Sequence, residues 1–278
     1  AFADNVRRFV QKEMAPFVNE WDEAETFPRE LYKKAAEIGL LGLGFSEEYG
    51  GIPDADPFYS LLAGVEMAKA GSGGVHISLM VHTIGAPPIQ HFGSEELKSK
   101  VLPRIISGEK ISALAITEPG GGSDVAALQT KAVRDGDYYV VSGEKTFITS
   151  GIRADYYTVA VRTDPTKTGA EGISMLLVDA HSEGITKTPL KKMGWWASDT
   201  AYLHFDQVRV PASNLLGKEN AGFKVIMNNF NMERFFLGVV AYGYALVCYE
   251  EALDWAQQRK TFGKRLIDHQ VVRHKLVD

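Results

Sequence analysis

Glu233 and Arg234, in the run "NMERFF", sit inside a stretch that is otherwise apolar. A carboxylate is costly to bury unless it is paired or used. Burial also raises its pKa toward the range of a general base at neutral pH. Two readings stand side by side: a buried proton acceptor, or a structural Glu–Arg arrangement at an interface.

A second stretch, "TEPGGGSD" (117–124), puts three glycines between a Thr and a Ser. A glycine run weakens any element it interrupts. It is either a tight turn between strands or a loop whose bare backbone approaches a phosphate, with the Ser123 hydroxyl beside the N–H groups. No Gly-Lys-Ser/Thr follows, so it is not a Walker loop. The strand–glycine–helix setting of a dinucleotide fingerprint is also missing.

Three further stretches carry unusual residues. In "GEKTFITSG" (143–151), Phe147, Ile148 and Thr149 end a strand, where an aromatic and a hydroxyl can border a flat ring or simply pack in the core. "MGWWASDT" sets Trp195 and Trp196 together before Ser198; on a strand they would face opposite sides, one inward. "QQRKTFGKRL" holds Arg259, Lys260, Lys264 and Arg265 just past a helix, where a solvated basic end suits the helix dipole. The seven histidines form no spaced metal set. The single cysteine, Cys248, supports neither a disulfide nor a cysteine-rich metal site within one chain, and its helical surroundings predict a buried structural thiol.

The elements that position these residues fall into three blocks. Residues 1–110 have helical spacing: Phe2, Val6, Phe9, Val10 and Phe17 form one face, and Leu31, Ala35, Ile38 and Leu41 another. Ser94 followed by two glutamates is a helix start, and Pro103 is expected to kink or break that helix. Residues 111–216 read as successive β-branched and aromatic runs, with a hairpin signal at Asp135-Gly136-Asp137. Strand following strand with no helix between predicts an antiparallel sheet or barrel. Residues 217–278 return to helical rhythm with a long stretch apolar on more than one side, expected to lie buried among other helices. The fold class is therefore α+β: a helical domain, a central antiparallel β domain and the start of a C-terminal helical bundle.

The 278 residues are 45% hydrophobic and 23% charged, an ordinary globular composition. A net charge of −5 argues against nucleic acid as a partner. No run of 18 apolar residues occurs, so no membrane span is expected. The chain opens without Met and closes within a helical pattern, and a chain clipped at both ends is the expectation.

Taken together, "AITEPGGGSD", "GEKTFITSG", "MGWWASDT…FDQVRVP" and "QRKTFGKRLIDHQ" resemble the acyl-CoA dehydrogenase family in order and approximate spacing over the whole chain. The resemblance implies FAD as cofactor and oxidation of an acyl-CoA thioester at Cα–Cβ, with electrons passed to an electron-transfer flavoprotein. It also implies a homotetramer, cytoplasmic in a bacterium or in the matrix of a mitochondrion. Leu114, Ile116, Thr117, Gly122 and Ser123 would line the flavin, with Ser123 also near the substrate. Phe147, Ile148 and Thr149 would flank the flavin ring, although many members have Trp where Phe147 stands. Ser198, Asn231 and Arg234 would contact the acyl-CoA. Arg259, Thr261, Phe262, His269 and Gln270 would reach the FAD of a neighbouring subunit. Glu233 occupies the position where a minority of the family, the long-chain and isovaleryl types, carry the catalytic base; most members place it later in the C-terminal domain.

Two other functions fit a flavin-bearing relative. One is a protein with a binding or stress-response role and little catalysis. The other is a flavin oxidase or monooxygenase, which typically lacks this glutamate. Reaction with oxygen rather than an electron-transfer flavoprotein separates the last from the dehydrogenase.

Overall fold

A computed structural model describes residues 1–53 and 56–278. Among the described residues, the N-terminal block holds eight α-helices. The first, α1 (Phe2–Phe9), continues into a π turn at Val10–Met14 and buries Val6, Phe9, Val10 and Met14. Phe17 does not join that face: it is 42% exposed, stacked on Trp21 of α2 (Val18–Glu23). Next, α3 (Glu30–Glu37) buries Leu31 and Ala35, while Ile38 is half-buried beyond its end. Asp56 and Ser72 cap α4 (Pro57–Ala68) and α5 (Gly73–Leu79), accepting from the Phe58 and Val75 N–H groups. Two short helices follow, α6 (His82–Gly85) and α7 (Pro87–Phe92).

Ser94 caps α8 (Glu95–Ile106) as its sequence indicates, accepting from the Leu97 N–H. Pro103 does not break this helix, which runs three residues further to Ile106. One backbone bond is forgone near the end, while Leu102, Ile105 and Ile106 stay buried and hold the last turn.

The central block is an eight-stranded sheet: β1 (Ser112–Ala115), β2 (Lys131–Asp135), β3 (Tyr138–Thr149), β4 (Tyr156–Arg162), β5 (Ile173–Asp179), β6 (Ile185–Pro189), β7 (Thr200–Pro211) and β8 (Leu215–Leu216). Their order is β6-β7-β3-β2-β4-β5-β8, with β1 beside β4. The hairpin joining β2 to β3 turns on Gly136 at φ +57°. The sheet is not wholly antiparallel, because β1 and β2 both pair with β4 in parallel. The β2–β3 hairpin lies between β1 and β4 in sequence and gives the chain enough length to return in the same direction.

The last block begins with α9 (Gly222–Gln258), 37 residues long, followed by a hairpin of β9 (Lys260–Thr261) and β10 (Lys264–Arg265) and by α10 (Gln270–Val277). Helix α9 packs on α4 so closely that a Cβ on Gly243 would stand 2.9 Å from the Ala68 Cβ. It is not buried all round: Met232, Phe235, Leu237, Tyr242, Tyr249 and Trp255 are exposed. Cys248 is exposed for the same reason, not a core thiol. By length and composition alone α9 would suffice to cross a membrane, although it holds no unbroken run of 18 apolar residues. The same helix carries Glu233 and Arg234 and is seated against α4 and the sheet.

Candidate functional site

A cavity of about 640 Å³ opens between α4, the α5–α7 segment and α9. Leu61, Met80, Ile84 and Phe236 give it an apolar wall, and Glu233 lines it from α9. Asn229, one turn before Glu233, donates from its side-chain amide to the Ile84 carbonyl at 2.9 Å. That bond fixes the rotation of α9 and turns the face shared by residues i and i+4 toward the cavity. One carboxylate oxygen of Glu233, Oε2, is buried with no partner among the described residues. Burial raises its pKa above the ordinary carboxylate value, and the neighbouring Arg234 opposes that only in part. Arg234 itself is exposed and stacks over Phe230. Asn231 is exposed as well.

The glycine loop lies at the end of β1, the strand against which α6 packs. A Cβ on Gly85 would stand 2.6 Å from the Ser112 carbonyl, so helix and strand approach at backbone distance. Glu118 and Gly121 exchange backbone hydrogen bonds that close the loop. Gly120 and Gly121 have nothing within 4 Å of a built Cβ, and a Cβ on Gly122 would meet the Thr117 methyl at 3.0 Å. Among the described residues, the Gly122 and Ser123 N–H groups donate to nothing in the chain. Leu114 and Ile116 join a hydrophobic cluster that reaches Val225 and Ile226 of α9.

Strand β3 meets this loop at an irregularity. Its pairing with β7 slips between Lys145 and Ile148. Phe147 takes φ +58° and is 70% exposed, although it is large, apolar and within a strand. A left-handed conformation for a non-glycine residue costs roughly 1–2 kcal/mol. Ile148 is buried and Thr149 half-buried. The Thr146 N–H donates to the Thr117 carbonyl at 2.9 Å, tying the bulge to the loop. The Thr146–Thr117 bond thus brings the exposed Phe147 bulge beside the loop that carries the free Gly122 and Ser123 N–H groups.

Two features escaped the sequence reading. Lys145 is fully buried and donates to the Ile116 carbonyl at 3.0 Å and to Glu118 at 2.8 Å. Strand alternation was the available signal, since Lys145 shares the parity of the buried Tyr139 and Val141. The other is a chain of serine hydroxyls, Ser150 to Ser78 at 3.0 Å and Ser78 to Ser198 at 2.8 Å, all buried. No local pattern joins residues so distant.

Ser198 is buried, its hydroxyl accepting from Ser78. Trp195 and Trp196 do not divide between core and surface, because they lie in a turn and each is 50% exposed. The turn is tied by Lys192, which donates to the carbonyls of Trp195 and Ser198.

Arg259, Thr261, Phe262, His269 and Gln270 stand at the other end of α9. With 1.5 Å per residue, Arg259 is about 39 Å from Glu233. Phe262 is 94% exposed at φ +49°, its ring edge-on to His269, which approaches the Thr261 carbonyl at 3.3 Å. Within one chain these residues do not join the cavity.

Known proteins align over the whole chain. Three family models match in succession: acyl-CoA dehydrogenase N-terminal domain at residues 1–109, middle domain at 113–208 and C-terminal domain at 220–278. A protein from Bacillus subtilis named acyl-CoA dehydrogenase is 39% identical over 275 residues, 98% of this chain and 72% of that protein. The mitochondrial long-chain specific acyl-CoA dehydrogenase of Sus scrofa is 38% identical over 279 residues, 100% of this chain and 64% of that one. Among solved structures, a probable acyl-CoA dehydrogenase from Mycobacterium abscessus superposes with a TM-score of 0.96 at 46% identity, covering 100% of this chain and 73% of that one. A glutaryl-CoA dehydrogenase from Mycobacterium smegmatis in complex with FADH2 gives 0.91 at 34% identity, covering 99% and 69%.

Proposed function

The chain belongs to the acyl-CoA dehydrogenase family and is an oxidoreductase acting on CH–CH bonds, and on that premise we propose that it desaturates an acyl-CoA thioester between Cα and Cβ with Glu233 as the base. The observation that carries this reading is the unpartnered Glu233 carboxylate in an apolar cavity. The α proton of a thioester is weakly acidic, so its removal needs a base freed from water. Burial supplies that condition, and the raised pKa of Glu233 makes it the stronger acceptor once ionised. The cavity wall takes the apolar acyl chain, and Asn229 holds the helix that aims the carboxylate.

The chain's residues fit FAD, the cofactor on which the family depends. Glycine backbone that no side chain covers, free N–H groups at Gly122 and Ser123, and the strained, exposed Phe147 suit a ring and its polar edge. Thr117 and Thr149, both half-buried, would add hydroxyls. When bound, FAD would accept the β hydrogen as hydride while Glu233 keeps the α proton, leaving a trans-2-enoyl-CoA. An electron-transfer flavoprotein then takes the electrons. A homotetramer accounts for the far end of α9, where Arg259, Thr261, Phe262, His269 and Gln270 would meet a neighbour's FAD.

Anaerobic flavin reduction by acyl-CoA substrates is the test. Glu233→Gln keeps shape and polarity, so FAD and acyl-CoA binding should persist while reduction slows by roughly 10²–10⁴-fold. In the wild type the rate should rise with pH through the raised pKa, because only the carboxylate accepts a proton. Reduction of the Gln variant at the wild-type rate would place the base elsewhere.

A further inference from the structure

Thr117 is bracketed by one buried ammonium group. Lys145 Nζ donates to the carbonyl of Ile116, the residue before Thr117, and to the carboxylate of Glu118, the residue after it. Glu118 is held in turn, its Oε1 accepting from the Thr130 N–H at 2.9 Å and its Oε2 from the Gln129 N–H at 2.6 Å. The ammonium therefore holds the chain on either side of Thr117, whose half-buried side chain makes no hydrogen bond to it. Lys145 is also where the regular β3–β7 pairing stops, two residues before the left-handed Phe147.

We propose that the Lys145–Glu118 pair is a positioning device for the flavin platform, setting the direction of Thr117 and anchoring the bulge that presents Phe147. The idea rests on the flavin reading of the preceding subsection. The position of the pair favours it over a role in stability alone. A buried ion pair is often no better for stability than apolar residues of the same volume. Here each member reaches backbone at a different point of the glycine loop: Ile116 before it, Gln129 and Thr130 after it, while Thr146 next to Lys145 donates to Thr117. Burial pushes the Lys145 pKa down to about 8 against the pull of Glu118, so the ammonium has given up water for these few contacts.

The pair can be removed without leaving a lone charge. The double variant Lys145→Met with Glu118→Leu strands the Ile116 carbonyl and the Gln129 and Thr130 N–H groups and should unfold at a lower temperature; apolar replacement of the charges themselves is commonly neutral, so it should still fold. It should nevertheless bind FAD about tenfold or more weakly, and its bound-flavin absorption bands should move toward those of free FAD. Glu118→Gln retains the shape and should shift the bands in the same direction by less; it decides the matter if the double variant does not fold. Wild-type FAD affinity and an unshifted spectrum in a folded variant would show that the pair is structural only. Failure of the wild-type protein to retain FAD would instead overturn the flavin reading itself.

Discussion

Ser78 and Ser198, separated by 120 positions in sequence, share a hydrogen bond of 2.8 Å between hydroxyls that no water reaches. Ser150 donates to Ser78 at 3.0 Å, so one serine on α5 joins the end of β3 to the tryptophan turn. Ser78→Ala should cost the most stability of the three, since it strands a donor on Ser150 and an acceptor on Ser198. The expected loss is about 1–3 kcal/mol by urea unfolding, and less for Ser150→Ala, which leaves only an acceptor on Ser78 unmet. Ser198→Ala should lower stability with little change in KM; a raised KM at unchanged stability would mean that Ser198 serves the substrate instead.

Two buried histidines make the fold acid-sensitive. Burial lowers the pKa of His76 from 6.5 to about 4, and that of His82 likewise, despite hydrogen bonds to the backbone of Leu41 and Leu79 that oppose it. The unfolded chain takes up these protons first. The stabilisation is thus full above pH 6.5 and declines as pH falls toward about 4. Each histidine adds a slope of roughly 1.4 kcal/mol per pH unit in that window. His76→Phe should flatten the acid limb of a urea-midpoint curve by about one proton. An unaltered slope would show that His76 titrates normally.

The glycine loop is open to a direct substitution. A Cβ at Gly122 would lie 3.0 Å from the Thr117 methyl and must push Thr117 aside. Gly122→Val should therefore weaken FAD binding roughly tenfold, equivalent to ~1.4 kcal/mol. If equilibrium dialysis finds wild-type affinity, the loop is a turn and nothing more.

Gly73 lies under the indole of Trp195, where a Cβ would come within 2.3 Å of Nε1. Gly73→Ala should displace the ring, changing the tryptophan emission and costing about 1–3 kcal/mol for an overpacked site. Unchanged emission with unchanged stability would mean that the turn gives way freely.

Much of the frame was legible in the sequence because its causes are local. The Ser94 cap, the Gly136 turn and the helix–sheet–helix order depend on residues a few positions apart. Glu233 stood out because a carboxylate in an apolar run is anomalous wherever it falls, whereas Lys145 went unnoticed although it shares the parity of the buried Tyr139 and Val141. Tertiary structure decided the rest. Whether α9 is covered depends on what packs against it, so neither its exposed face nor Cys248 could be read from periodicity. Phe147 turns outward because a slip against β7 and a tie to Thr117 override strand alternation. Ser198 turns inward because a hydroxyl from α5 meets it there. A side chain's environment is set by whichever distant segment arrives beside it, and local sequence encodes only the readiness of each segment to form.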